Sequence, residues 1–162
     1  MVVIGLYGAG SKGKSQTLRS VIQGLVDAGA SCSDPRAVQA GGDVKCCLTT
    51  MEGKKICITT AGDTGDIQKE NLVFVAQFGA IDAWITATKT RGFSVDEIWN
   101  SALNVNEVFW VPKTVCDHIY KQEKGKWDNS IQVEEDEALK KDQEDCNMFD
   151  AKRIGRLLKR LI

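Results

Sequence analysis

Apolar positions along the chain fall into short continuous runs and into series spaced three and four apart, and the two patterns alternate. Val2-Val3-Ile4-Gly5-Leu6-Tyr7 is a run of strand length, as in a strand buried on both faces. Leu18, Val21, Ile22, Leu25 and Val26 then recur at helical spacing and predict an amphipathic helix from about Gly13 to Ala28, with Gly29 at its C-cap. Ser31 to Gly42 reads as a loop, with Ser33-Asp34-Pro35 and Gly41-Gly42 as its signals. Val44 to Met51 and Lys54 to Ala61 read as two strands of a hairpin turned at Glu52-Gly53. Ile67, Leu72, Val75, Ala76 and Gly79 suit a helix between Asp66 and Ala80, and Ala83 to Ala87 a fourth strand. Ser94-Val95-Asp96-Glu97 fits a capping box for a helix with Ile98, Trp99 and Leu103 inward, and Glu107 to Val111 forms a fifth strand before Pro112. Ile154, Leu157, Leu158, Leu161 and Ile162 share one stripe of a terminal helix over residues 151–162, which docks on the sheet with Asp150 as its N-cap. Alternating strands and helices predict an α/β fold with a mostly parallel sheet.

The 162 residues are the size of one domain, with 113–150 a variable region or lid. Hydrophobic residues make up 43% and charged residues 27%, as in soluble globular proteins. No apolar run approaches the roughly twenty residues of a membrane span, so no membrane association is expected. Met1-Val2-Val3-Ile4 has no basic lead-in or cleavage site, which points to a cytoplasmic setting. A net charge of −1 argues against a nucleic-acid surface. That charge is unevenly spread: residues 134–145 hold seven acids and two lysines, whereas residues 151–162 hold five basic residues and no acids. The six cysteines include no CxxC pair and His118 is the one histidine. A tetrahedral metal site has little to draw on, and free thiols are expected, with Cys57 and one of Cys46 and Cys47 buried in strands.

The first strand runs directly into Gly8-Ala9-Gly10-Ser11-Lys12-Gly13-Lys14-Ser15, followed by Gln16. This fits GxxxxGK(S/T) at every required position, between a buried strand and an amphipathic helix. The glycines let the backbone wrap closely around a phosphate chain, so that consecutive N–H groups and the helix N-terminus point at negative charge. Lys14 would place an ammonium between the terminal phosphates, and the Ser15 hydroxyl could ligate a bridging magnesium ion.

On these residues the chain resembles the P-loop nucleoside triphosphatase and kinase superfamily. The resemblance implies a three-layer α/β/α sandwich, ATP or another nucleoside triphosphate at the strand C-termini, and Mg2+. The superfamily keeps a metal-linked acid at the end of a second strand. Here Ile56-Cys57-Ile58-Thr59-Thr60-Ala61-Gly62-Asp63 carries Thr59 or Thr60 at that place. Aligned on the Asp-x-x-Gly turn of GTPases, Thr59-Thr60-Ala61-Gly62 keeps the glycine and loses the acid, and Asp63 stands where a water-orienting or metal-linked residue would be. The stretch from Gly62 to Asp66 also suits a turn whose carboxylates cap the next helix.

Arg91, in Thr88-Lys89-Thr90-Arg91-Gly92 after the fourth strand, could clamp a transferring phosphoryl group, or be a solvated loop arginine. Arginine stands where the guanine-reading (N/T)KxD motif has aspartate, so guanine specificity is not supported. An acceptor site would be lined by Ser33-Asp34-Pro35-Arg36 and Asp43, with Asp34 as general base and Arg36 holding an anionic group, although Asp-Pro is also ordinary turn chemistry. Lys121 to Trp127 could form a lid, and His118 has no assigned role. Two functions fit: phosphoryl transfer from ATP to a small phosphorylated or nucleotide-like acceptor, with Lys14, Asp63, Arg91 and Asp34 in the chemistry, or a nucleotide-dependent switch. A nucleotide binder without turnover is a third, suggested by the absent strand-end acid.

Overall fold

A computed structural model describes residues 1–9, 13–34, 37, 42–89, 92–99, 107–114 and 137–162, with the side chains of 137–139 excepted. The elements run β1 (Val2–Tyr7), α1 (Lys14–Asp27), β2 (Ser31–Cys32), β3 (Lys45–Thr49), β4 (Lys55–Thr59), α2 (Gly65–Ala76), β5 (Ala83–Thr88), α3 (Phe93–Trp99), β6 (Glu107–Pro112) and α4 (Glu137–Leu161). The fold is mixed α/β; among the described residues it has four helices and a six-stranded sheet ordered β2-β3-β4-β5-β1-β6. Strands β4, β5, β1 and β6 are parallel, while β3 is antiparallel to β4 and β2 to β3.

The alternation of side chains along each strand divides the core into two clusters. Ile4, Leu6, Ile56, Ile58 and Ile85 pack with Leu18 and Ile22 of α1 and Ile154 and Leu158 of α4. Val3, Cys57 and Trp84 pack with Val75 of α2 and Ile98 of α3. Connection geometry gives the reason: the chain leaves β1 toward β4 on one side and returns through β5 to β6 on the other, and right-handed crossovers then put the helices on opposite faces. Each fully buried Leu or Ile contributes roughly 1.5–3 kcal/mol as an upper bound. A ligand crevice in such a sheet lies at the carboxyl ends of the strands around the reversal, here β1. Backbone bonds draw those ends together, from Gly8 N to the Thr88 carbonyl at 3.3 Å and from Lys113 N to the Tyr7 carbonyl at 2.9 Å.

Several expectations change. The terminal helix begins at Glu137 and takes in much of the acidic stretch, so Asp150 lies inside it instead of capping it. The short strand β2, inside a predicted loop, makes the Glu107 strand the sixth; two residues are too few to leave a periodic signal. Trp99 is 56% exposed, leaving Ile98 as the buried apolar residue of α3. Ser94 is inside α3, where its hydroxyl meets that of Thr88 at 2.9 Å instead of capping the helix. Both Cys46 and Cys47 are buried, because β3 is covered on both faces. Among the described residues no helix is long and apolar enough to cross a membrane.

Candidate functional site

Strand β1 delivers Gly8 and Ala9 to the sheet edge, and α1 opens at Gly13, whose φ of 81° is left-handed and which offers no side-chain cap. The first amides of α1 therefore stay without a capping side chain, as an anion-binding helix start requires. A Cβ on Gly13 would meet Asn147 Oδ1 of α4 at 2.6 Å. The same Asn147 oxygen accepts from the Thr17 hydroxyl at 3.2 Å, so α4 braces the start of α1.

Lys14 is only 5% exposed. Its ammonium folds back over the loop, donating to the carbonyls of Gly8 at 3.0 Å and Ala9 at 2.9 Å. It also lies 3.1 Å from Asp63 Oδ1. That oxygen accepts no hydrogen bond, so charge alone holds the pair, and both residues line the same cavity. The Ser15 hydroxyl donates to Asp43 Oδ1 at 2.7 Å, with the Thr60 carbonyl at 3.2 Å as its alternative acceptor. Thr60 Oγ1 also donates to Asp43 Oδ1, at 3.2 Å, and accepts from Val44 N at 2.8 Å.

Asp63 reaches Lys14 although β5 lies between β4 and β1. The chain after β4 passes over the end of β5 at Gly62, where a Cβ would come within 1.7 Å of the Ala87 carbonyl oxygen. Only glycine permits that approach. Gln68, fully buried, donates to the carbonyls of Ala87 at 2.8 Å and Gly62 at 3.3 Å. Asn71 donates to the Ala61 carbonyl at 2.7 Å and to Gln68 Oε1 at 3.1 Å. The cap of α2 is Thr64, whose Oγ1 accepts from Ile67 N at 3.3 Å; Asp63 is left to face Lys14. Thr59 points into the sheet, accepting from Trp84 Nε1 at 3.1 Å and donating to Thr86 at 2.9 Å.

These groups enclose a cavity of about 370 Å³ lined by Gly13, Lys14, Ser15, Asp43, Thr60, Ala61, Gly62, Asp63 and Ile67. Among the described residues no group of three His, Cys, Asp or Glu side chains is arranged around a metal. The oxygen pair of Ser15 and Asp43 is hard-donor chemistry that suits magnesium when phosphate oxygens complete the shell. Asp43, expected from the sequence to line an acceptor site, stands beside Ser15; no spacing signal in its glycine-rich loop pointed to that pairing. Asp34 and Gln16 do not line the cavity. Gly10, Ser11, Lys12, Arg36, Arg91, Leu103, His118 and Lys121 to Trp127 lie outside the described residues.

Behind the loop, Asp150 is fully buried. Its carboxylate accepts from Lys113 Nζ at 3.0 Å, Thr114 N at 2.7 Å, Thr114 Oγ1 at 2.7 Å and Arg153 at 3.2 Å. Burial pushes the Asp150 carboxyl up, but the Thr114 hydroxyl and amide and the Lys113 ammonium outweigh it and hold the group below its ordinary range. Comparison with protein-family models, with curated proteins and with solved structures finds no match for this chain.

Proposed function

We propose that this chain is a P-loop protein of three-layer α/β/α architecture that binds a nucleoside triphosphate with magnesium and transfers its terminal phosphoryl group to a small phosphorylated or nucleotide-like acceptor. One observation carries the reading: beyond the end of β1 an uncapped helix start, the Lys14 ammonium and the paired Ser15 and Asp43 oxygens converge on one cavity. Amide groups there would hold the phosphate chain and Lys14 would neutralise its terminal charge. Ser15 and Asp43 would hold magnesium, which when bound offsets charge on the phosphate oxygens. Asp63, beside Lys14, would accept a hydrogen bond from a nucleophile attacking that terminal phosphate.

Titration calorimetry with ATP and magnesium tests this. Saturable heat from the wild-type protein, and none from a folded Lys14→Ala protein, is the expected result. Absence of heat with both ATP and GTP removes the reading. A second reading, a nucleotide-dependent switch, draws on a further observation. Asp43 and Asp63 flank the β3–β4 hairpin and touch Ser15 and Lys14 respectively, so a bound terminal phosphate would displace both flanks together. Acceptor-stimulated ATP consumption supports transfer; slow hydrolysis accelerated by a protein partner supports the switch.

A further inference from the structure

Helix α4 buries Asn147, Asp150, Ala151, Ile154 and Leu158 against the rest of the fold. Away from that face run Asp142, Asp145, Phe149, Arg153, Arg156 and Arg160, at steps of three and four residues that keep them on one stripe. All are exposed except Arg153, which is half-buried. Phe149 is 52% exposed, and the Arg153 guanidinium lies 5.7 Å from its ring centroid, which steadies the ring. Acids precede Phe149 and arginines follow it. Turned end for end about Phe149, the stripe is its own electrostatic complement: Asp142 falls opposite Arg156, Asp145 opposite Arg153, and Phe149 opposite itself.

We propose that α4 is a self-association surface, on which two copies of this chain pair antiparallel about a two-fold axis at Phe149. Such an axis makes every contact twice, residue i on j and j on i, so one stripe supplies both halves of the interface. A partner of unrelated sequence would need no such reversal symmetry, and that symmetry is what selects a second copy. The exposed ring supplies an apolar centre and the charges set direction and register, since a parallel pairing would set acid against acid. One helix pair is a small interface, and exposed ion pairs are individually weak. The dimer is therefore dissociable, and salt loosens it. The proposal is independent of nucleotide binding.

Sedimentation equilibrium of the full chain tests it through a charge swap at two exposed side chains. The wild-type mass should rise with concentration toward twice the monomer at low ionic strength and fall back in salt. Arg156→Glu, which makes the stripe acidic at both ends of the pairing, and Asp142→Arg, which makes it basic, should each weaken association at least tenfold. An equimolar mixture of the two variants should recover wild-type association, because each acidic position then meets an arginine. Unchanged circular dichroism would show that the variants are folded. The proposal is overturned by a wild-type chain monomeric at about 1 mM, by a dimer that neither substitution weakens, or by variants that fail to associate with each other.

Discussion

Gly62 passes so close to Ala87 that a Cβ on the glycine would come within 1.7 Å of the alanine carbonyl oxygen. This contact carries the chain from β4 across the end of β5 and sets Asp63 against Lys14. Gly62→Ala must open the turn, since the obstacle is backbone of a fully buried strand. We expect destabilisation of about 1–3 kcal/mol together with weakened nucleotide binding. Thermal unfolding and titration calorimetry on the same protein check both; a variant with wild-type stability and affinity would remove the role given to the crossing.

Asp63 holds Lys14 by charge alone, so under the proposed function an incoming phosphate chain would compete with it for the ammonium. Asp63→Asn removes that competitor and a like charge facing the ligand. ADP without magnesium should bind roughly tenfold more tightly, equivalent to about 1.4 kcal/mol, while turnover of ATP falls. Weaker ADP binding in the variant would show that Asp63 helps hold the ligand instead of excluding it.

How far these relationships can be read in the sequence depends on their range. The glycine-rich loop, α1 and the hairpin are local: a run of six apolar residues, a glycine-rich turn and a 3.6 period each declare themselves within a few residues. The partners of Lys14 and Ser15 are not local. Asp43 and Asp63 reach the loop from the flanks of the β3–β4 hairpin, across the end of the intervening β5, and no spacing in the chain encodes that strand order. Asp150 misleads for a related reason. Its position before an apolar stripe suits an N-cap, but the helix continues upstream through the acidic stretch, and the carboxylate turns inward to Lys113 and Thr114. Trp99 similarly shares a window with Ile98, and only tertiary packing decides which is buried.

Asp43 pairs with Ser15, not with Lys14, which separates its effect from that of Asp63. If the Ser15–Asp43 oxygens hold magnesium, Asp43→Ala should leave ADP affinity without metal nearly unchanged. The gain in ATP affinity that magnesium brings should shrink by about tenfold, roughly 1.4 kcal/mol. Calorimetry with and without magnesium gives that difference directly. An equal loss in both conditions would assign Asp43 to loop structure alone, through its bond from Thr60.

Asp150 is one group whose titration should couple folding to acid pH. Lys113 and Asp150 pair with side chains 1% and 0% exposed, so Asp150→Asn leaves a buried ammonium without its counter-charge, at a cost of about 3–5 kcal/mol at neutral pH. The folded carboxyl sits below the ordinary value of 3.8, so the unfolded chain binds the proton first as pH falls. Stability from this group is therefore complete above 3.8, declines as the pH drops beneath it, and is gone once the folded carboxyl is itself protonated. Melting temperatures measured from pH 7 down to about 2 should fall more steeply at the acid end for the wild type than for Asp150→Asn, so that the two curves converge. Parallel curves across that range would mean that Asp150 titrates alike in both states and that its ionisation is not linked to folding.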